Sequence, residues 1–122
     1  MSEELPALEL WQKIIGELMD RTAGFPKTAR YSFASRIDNL ALEIMDNLVL
    51  ARYSRRPEKD GYLRDADIGA MRMQVLVRLC HSRGLIGRGG YEHMSRRLAD
   101  FGAMIGGWRN SLGRGPNTGN DE

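Results

Sequence analysis

Apolar residues recur along the chain at alternating spacings of three and four, which is the pattern of a buried face on a bundled helix. The repeat is most regular in the second half, where two such runs follow one another. The first comprises Leu63, Ala66, Ala70, Met73, Val77, Cys80 and Gly84, and the second comprises Tyr91, Met94, Leu98, Phe101, Ile105, Trp108 and Leu112. They predict two long helices, over about residues 62–83 and 91–112, that share one core.

Two further helices are predicted earlier in the chain, over about residues 6–22 and 27–53. Gly24 and Pro26 separate them, because glycine ends a helix readily and proline cannot continue its hydrogen bonds. Their buried stripes are Leu8, Trp11, Ile15 and Leu18 in the first helix, and Phe33, Ile37, Leu40, Ile44, Leu48 and Ala51 in the second.

The remaining segments complete the predicted architecture. A charged segment at 55–61 and a glycine-rich segment at 84–90 predict the two later loops. No strand pattern with a partner occurs, so the predicted fold is an all-α, up-down four-helix bundle over residues 1–113. Residues 114–122 contain no apolar side chain and predict a disordered tail. Three glycines inside the last helix are predicted to allow close approach of a neighbouring backbone: Gly102, Gly106 and Gly107.

The third helix carries a second apolar stripe, which comprises Ile68, Met71, Val75 and Leu79. Met71 lies about 200° around the helix from Met73 of the first run. A helix that is apolar on opposing sides is normally buried on both, and a bundle of this size does not cover both faces of each helix. The second stripe therefore predicts an interface in a ring or barrel-shaped homo-oligomer. The alternative is a thicker core within one chain.

Charge is distributed unevenly along the chain. The net charge is only +2. Residues 62–114 contain nine arginines and four acidic residues, which leaves a net charge of −3 for the rest of the chain. Arginine presents a planar fork of donors that matches phosphate and carboxylate. This excess predicts an anionic partner, although a solvated face is the simpler alternative. No aromatic residue alternates with these arginines, so we expect salt-dependent backbone contacts with little base readout.

The residues with potential chemistry do not form a recognisable active site. The glycine-rich segment is not followed by Lys-Ser/Thr, as a phosphate-binding loop would be. Cys80, His81 and His93 match no common zinc spacing, and a Cys-His nucleophile would lack an orienting group. We therefore predict a protein that is not an enzyme and that has no metal, cofactor or small-molecule substrate.

The carboxylates likewise predict no metal site. Glu17, Glu43 and Asp46 suggest a di-iron bundle, but no inward Glu-x-x-His pair accompanies them. Asp65 and Asp67 are two residues apart and do not share a helix face. They are expected instead to begin the third helix, where carboxylates favour the positive end of the helix dipole.

The sequence also favours a cytoplasmic protein with no membrane association. No apolar run approaches the roughly 18 residues that span a bilayer. The start, Met1-Ser2-Glu3-Glu4, lacks the basic and apolar regions of a signal peptide. A single cysteine, Cys80, forms no internal disulfide.

Several motifs carry a family resemblance. The first half contains Phe25-Pro26-Lys27, Arg30, Ala41-Leu42-Glu43 and Asn47-Leu48-Val49. These resemble the four-helix-bundle proteins that include the ribosomal RNA intervening-sequence proteins. The second half contains Asp65-Ala66-Asp67-Ile68-Gly69-Ala70-Met71-Arg72, Leu76-Val77-Arg78-Leu79 and Gly106-Gly107-Trp108-Arg109. This set resembles the accessory variability determinant (Avd) proteins of diversity-generating retroelements.

The Avd resemblance implies a barrel-shaped homopentamer without catalytic activity. It implies a separate reverse transcriptase and template RNA, or an RNA/DNA hybrid, as partners in adenine-directed mutagenic copying, called mutagenic retrohoming. By motif match, Arg72, Arg78 and Arg109 are expected to contact polymerase or nucleic acid, and the charge pattern adds Arg83, Arg88, Arg96 and Arg97. The tail is less basic than in many relatives, which argues against a tail contribution. The alternative function is an interaction bundle of the intervening-sequence type with no nucleic-acid role.

Overall fold

The computed structural model describes residues 4–113 and places them in four helices connected by short loops. Helices that follow one another in the chain contact each other, and α1 also contacts α4, which closes the bundle. The bounds are Glu4–Thr22 for α1, Lys27–Ala29, Arg30–Ala34 and Ser35–Arg52 for the three successive segments of α2, Arg56–Ser82 for α3, and Arg88–Gly113 for α4. The all-α four-helix fold is confirmed, and the ring assembly stays a prediction.

The core follows the predicted apolar runs of α3 and α4, whereas in α1 Ala7 and Ile14 are buried and the predicted Leu8 and Ile15 are only half-buried. All residues of the first run are buried except Gly84, which lies in the connector after α3. In the second run Tyr91 and Leu112 are half-buried, and the five residues between them are buried. Trp11 is fully buried, with its ring centroid 4.6 Å from that of Phe101. Its indole Nε1 donates to the carbonyl oxygen of Ala41 at 3.0 Å, so the buried polar group is satisfied.

The start of α3 differs from the predicted loop at 55–61, because α3 begins at Arg56. Pro57 occupies the first turn, where its missing N–H costs no hydrogen bond. Glu58 in the same turn favours the positive helix end, and Lys59 Nζ lies 3.2 Å from the Glu4 carboxylate of α1. Gly61 costs only about 1 kcal/mol inside a helix, which these contacts offset.

This early start also corrects the role predicted for Asp65 and Asp67. Asp65 lies in the third turn of α3 and Asp67 in the fourth, because the helix begins nine residues before Asp65, at Arg56. The helix dipole acts mainly within the first turn, so the explanation that these carboxylates begin the helix is wrong. Asp65 instead lines a cleft between α2 and α3, and Asp67 is half-buried.

A glycine in the left-handed region ends α3 at the start of the α3–α4 connector. Gly84 has a φ of 80°, its N–H donates to His81 O at 3.0 Å, and Leu85 N–H donates to Cys80 O at 2.8 Å. This pair of bonds satisfies carbonyl groups that the helix end leaves without partners. The loop is shorter than predicted, because α4 begins at Arg88 and contains Gly89 and Gly90.

A π-helical segment interrupts α2 at Arg30–Ala34. The Ser35 N–H donates to the carbonyl oxygen of Arg30, five residues earlier, whereas an α-helix uses the residue four earlier. The apolar spacing of the sequence did not indicate this segment. It lies one turn after Pro26 and directly follows the short Lys27–Ala29 segment.

Two further predictions concern the tail and membrane crossing. The disordered tail predicted over 114–122 lies outside the described residues. Within residues 4–113, no helix is both long and apolar enough to cross a membrane.

Glycines at two positions have opposite surroundings, and they give a paired stability prediction. A Cβ at Gly69 would lie 2.6 Å from Cγ1 of Ile44 on α2, whereas a Cβ at Gly102 would meet no heavy atom within 4 Å. We expect Gly69→Ala to lower the free energy of unfolding by about 1–3 kcal/mol through overpacking. Gly102→Ala should raise it by up to about 1 kcal/mol through helix propensity. Urea denaturation of both variants measures the difference, and equal effects would contradict this account.

The space around the glycines of α4 tests the prediction that they allow close approach of a neighbouring backbone. Apart from the backbone of α4 itself, no described residue has a heavy atom within 4 Å of a Cβ added at Gly102 or Gly106. For these two glycines the predicted close approach of a neighbouring backbone is wrong within the chain.

Candidate functional site

Four of the seven predicted site arginines are exposed and have no carboxylate partner within the described part of the chain: Arg72, Arg78, Arg83 and Arg96. They are exposed because the apolar seams of α3 and α4 turn these positions away from the core. Arg83 is the C-terminal cap residue of α3, and its N–H bonds to the last turn of that helix. These guanidinium groups are free to meet an external anion.

The other three arginines contact carboxylates: Arg88 Nε lies 3.2 Å from Glu92, Arg97 Nη2 lies 3.2 Å from Glu17, and Arg109 Nε lies 3.0 Å from Asp60. The Arg88 side chain is 82% exposed, and an exposed ion pair of this kind contributes little, so Arg88 stays available to a partner. Arg97 and Arg109 are more enclosed and connect α4 to α1 and to α3.

The seven arginines do not form one patch. Arg83 and Arg88 lie at the end of the bundle that carries the α3–α4 connector. Arg96 and Arg97 lie about 12 Å further along α4, at 1.5 Å per residue. Arg109 lies about 20 Å beyond Arg96, towards the other end of the bundle. The structure therefore brings Arg83, Arg88, Arg96 and Arg97 to one half of the molecule and separates Arg109 from them.

The carboxylate of Glu17 on α1 is bound by two basic side chains of α4, His93 and Arg97. Its two carboxylate oxygens accept hydrogen bonds from His93 Nε2 and Arg97 Nη2, each at 3.2 Å. Burial alone would raise the pKa of Glu17, but these bonds and the positive charges of Arg97 and His93 outweigh it and lower the pKa. Glu17 is therefore charged at neutral pH. Beside it, His93, Arg96, Arg97 and Asp100 line a small cleft of about 130 Å³.

Cys80 and His81 have structural surroundings. His81 Nδ1–H donates to the carbonyl oxygen of Ile86 at 2.9 Å, and the ring stacks on Tyr91 with centroids 4.6 Å apart. Cys80 is fully buried, and burial raises the pKa of its thiol to about 11. Across residues 4–113, no three His, Cys, Asp or Glu side chains gather where they could hold a metal ion.

Cys80 is expected to resist alkylation in the folded protein. With a pKa of about 11, only about one thiol in a thousand is ionised at pH 8, and the thiolate is the reactive form. Iodoacetamide followed by intact mass measurement should show no adduct in buffer and complete reaction in 6 M guanidinium chloride, as a matched control. Labelling at the rate of a free thiol in buffer would place Cys80 at the surface.

The predicted second stripe of α3 is exposed in the single chain. The exposed fractions are 45% for Ile68, 56% for Met71, 60% for Val75 and 43% for Leu79. The alternative of a thicker core within one chain is therefore wrong. An uncovered apolar face of this kind is typical of an interaction surface, and the interface between copies stays a prediction.

The sequence analysis missed a second apolar surface, on α1 and α2. Its exposed members are Leu5, Leu42, Val49 and Tyr53. Leu42, Val49 and Tyr53 lie on one line of α2, at spacings of seven and four. The repeat could have been found, because these positions fall outside the buried stripe of α2 at a helical spacing.

Tyr31 was also missed. It lies in the π-helical segment of α2 and is 88% exposed, the most exposed of the large apolar side chains in the described residues. Lys27, Arg30 and Arg36 lie nearby in the chain and are exposed. An exposed aromatic ring among cations is an arrangement on which unpaired bases stack. Its signal in the sequence is an aromatic residue at a position off the apolar stripe, between basic residues.

Comparison with known proteins bears on the family resemblance. The model of the bAvd-like family matches residues 8–112. The chain belongs to the bAvd-like family. The match takes in most of α1 and α4 and all of α2 and α3, so the recognition made from the motifs is confirmed. A search of curated proteins gives no match to this chain.

Proposed function

We propose that this member of the bAvd-like family is a non-enzymatic accessory factor of a diversity-generating retroelement. It binds the reverse transcriptase of that element and the template RNA, and it supports mutagenic synthesis of cDNA. The observation that carries this proposal is a set of exposed arginines without carboxylate partners on a bundle of this family: Arg72, Arg78, Arg83 and Arg96.

The chemistry of these arginines suits a phosphate backbone. A guanidinium group offers fixed donors that bind phosphate in pairs, and it stays charged at any pH that the fold survives. Arg88, Arg97 and Arg109 join the surface where the partner competes with Glu92, Glu17 and Asp60. Tyr31 adds a ring on which an unpaired base can stack. These contacts favour binding that is strong at low salt and tolerant of sequence.

The proposal includes assembly into a homo-oligomer, a pentamer by family resemblance. The exposed apolar stripe of α3 supports it, because the other residues of 4–113 leave its four side chains uncovered. A closed ring would repeat the basic surface in each subunit, which strengthens the field that attracts a polyanion.

The proposed absence of catalysis is supported by what the reactive residue types do. Cys80 is buried in the core, and His81 is bound to the carbonyl of Ile86. His93 is bound to the Glu17 carboxylate. A nucleophile needs a free base beside it and donors for the developing charge, and these side chains are committed to contacts between helices.

A salt series tests the nucleic-acid part of the proposal. Binding of the template RNA, measured by fluorescence anisotropy between 50 and 400 mM KCl, should weaken with a slope of about −0.7 in log K against log salt for each phosphate contact. The four unpaired arginines alone predict a slope of about −3. A slope near zero would contradict the proposed binding of RNA phosphates.

Genomic context is an independent test, since a neighbouring reverse-transcriptase gene and two near-identical repeats that differ at adenines are expected.

The second candidate function is a protein-interaction bundle of the intervening-sequence type, without a nucleic-acid role. The exposed apolar residues of α1, α2 and α3 favour it, because apolar surfaces bind proteins rather than phosphates. The two functions differ in one measurement. If the protein is an interaction bundle, it will bind a purified protein partner and will not bind RNA at 50 mM KCl.

A further inference from the structure

The α1–α2 and α3–α4 connectors lie at the same end of the bundle, because short loops make each helix antiparallel to the next. A Cβ at Gly90 would lie 2.5 Å from Nη1 of Arg21, so the end of α1 is beside the start of α4. We call the half of the bundle nearest these connectors, residues 13–39 and 70–100, the connector end. It carries eleven Lys and Arg and five Asp and Glu, whereas the other described residues carry six and eight. The excess of positive charge is therefore concentrated at the connector end.

Tyr31 presents an open aromatic ring at the connector end. Its side chain is 88% exposed, and among the described residues no other ring and no guanidinium lies against it. The other largely exposed tyrosine is Tyr53, at 79%, but the guanidinium carbon of Arg52 lies 5.8 Å from the centre of its ring. Tyr53 caps the opposite end of α2, about 30 Å from Tyr31 at 1.5 Å per residue. Of these two rings, the one at the connector end is therefore the one available for stacking.

Three exposed cations lie around this ring: Lys27, Arg30 and Arg36. Lys27 is four residues before Tyr31, which is the spacing of neighbours on a helix surface. Arg36 is five residues after Tyr31, and residues five apart become neighbours where a turn is π-helical, as it is at Arg30–Ala34. The three cations have no ion pair among residues 4–113, so they are free to bind phosphates.

Two carboxylates lie in the same part of the chain, Asp20 and Asp38. Asp38 is half-buried, and it accepts a hydrogen bond from Thr22 Oγ1 at 2.9 Å. With Arg30 it lines a cleft of about 260 Å³ between α1 and α2. The two charges in the cleft offset each other, and residues 20–38 as a whole carry four basic side chains against two acidic ones. An anionic strand is therefore favoured outside the cleft, on the exposed side of α2.

We propose that the connector end binds single-stranded nucleic acid, with an unpaired base stacked on Tyr31 and the adjoining phosphates on Lys27, Arg30 and Arg36. This inference rests on the proposed function and deepens it, because it names the form of the nucleic acid and a site on α2, apart from the arginines of α3 and α4. Proteins that bind single strands without reading their sequence combine aromatic rings with cations in this way. A duplex keeps its base faces within its own stack, so it can use the cations but not the ring.

Removing the ring tests the stacking contact. Tyr31→Ser should weaken binding of a labelled, unstructured 12-nucleotide strand about tenfold, measured by fluorescence anisotropy at 50 mM KCl. Tyr31→Phe keeps the ring and should bind like the unmodified chain. Tyr53→Ser is the matched control and should change nothing, because Arg52 already lies against that ring at the opposite end of α2. Both tyrosines are exposed, so the fold should survive, which circular dichroism checks.

An abasic strand of the same length separates stacking from charge. It keeps its phosphates and has no base to stack, so Tyr31→Ser and the unmodified chain should bind it equally well. A duplex of 12 base pairs should also bind both chains equally. Lys27→Glu with Arg36→Glu should instead weaken binding of all three ligands, because phosphate contacts are lost. If Tyr31→Ser lost affinity for the abasic strand or the duplex as well, the ring would not act through a base, and the inference would be overturned.

The sugar distinguishes the two sources of such a strand, template RNA and cDNA. A ring stacks on a base whichever sugar carries it, so the loss in Tyr31→Ser should be equal for ribose and deoxyribose strands of one sequence. The strand that the unmodified chain binds more tightly identifies the occupant. A loss confined to one sugar would contradict stacking.

The inference and the proposed function fail in different ways. Suppose that Tyr31→Ser binds the base-bearing strand as tightly as the unmodified chain does, while reversal of Arg83 and Arg96 to glutamate weakens binding. The site at Tyr31 is then excluded, and the proposed function stands. An unmodified chain that binds no nucleic acid at 50 mM KCl would overturn both.

Discussion

Replacing Trp11 by alanine is expected to lower the free energy of unfolding by about 3–5 kcal/mol, which is a large share of the stability of a domain this size. The indole is fully buried and lies against the Phe101 ring at 4.6 Å, so its removal leaves a cavity between α1 and α4. It also leaves the Ala41 carbonyl without the donor that now lies at 3.0 Å. Chemical denaturation followed by circular dichroism measures the loss.

Two further variants separate the causes of that loss. Trp11→Phe keeps an aromatic ring beside Phe101 and removes the hydrogen bond, so it should cost less than the alanine variant. Gln12→Ala, at the neighbouring exposed position of α1, should change stability by less than about 0.5 kcal/mol. If Trp11→Ala proved no worse than Gln12→Ala, the indole would not be the centre of the core.

Reversing Arg83 and Arg96 to glutamate together is expected to weaken template-RNA binding by about 100-fold at 50 mM salt. That factor corresponds to about 1.4 kcal/mol for each arginine, the lower range for a charged hydrogen bond. Both side chains are exposed and have no ion pair within residues 4–113. The salt slope should become shallower by about 1.4, because two contacts are lost.

The control for this variant carries the same change in net charge elsewhere. Lys13→Glu with Arg55→Glu reverses two exposed basic residues of α1 and the α3 start. If binding depends only on net charge, both variants will lose affinity equally, and the assignment of a surface fails. A large loss of RNA affinity in the Arg83 and Arg96 variant alone supports contact of RNA with the half of the molecule that carries the α3–α4 connector.

The helices could be predicted because the core residues of this bundle recur along the sequence at a regular helical spacing. The run from Leu63 to Cys80 is buried at each of its apolar positions, as the spacing requires. The start of α3 could not be read in this way. Pro57 and Gly61 signal a loop when considered alone, yet proline in a first turn is compatible with a helix, and a contact from Lys59 to Glu4 of α1 holds that turn.

The candidate site was less predictable, because availability depends on partners that are distant in sequence. Arg97 and Glu17 are 80 positions apart and Arg109 and Asp60 are 49 apart, and no local pattern predicts either pair. Sequence analysis therefore treated Arg97 and Arg109 as equal to the unpaired arginines. Tyr31 was missed for a different reason, since it lies where the helix departs from the 3.6-residue period on which the analysis depended.

The π-helical segment Arg30–Ala34 has a consequence for comparing this chain with its relatives. Because that turn holds one residue more than an α-helical turn, the helix on either side of it is out of phase by about 100°. A homologue with one residue fewer here would have an uninterrupted α-helix and still bury the counterparts of Ile37 and Leu40. Deleting a residue directly after Ile37 would instead rotate the core-facing positions that follow it, from Leu40 onward, away from the core. We therefore expect the loss of one residue between 30 and 34 to leave the bundle intact and to reorient the ring of Tyr31.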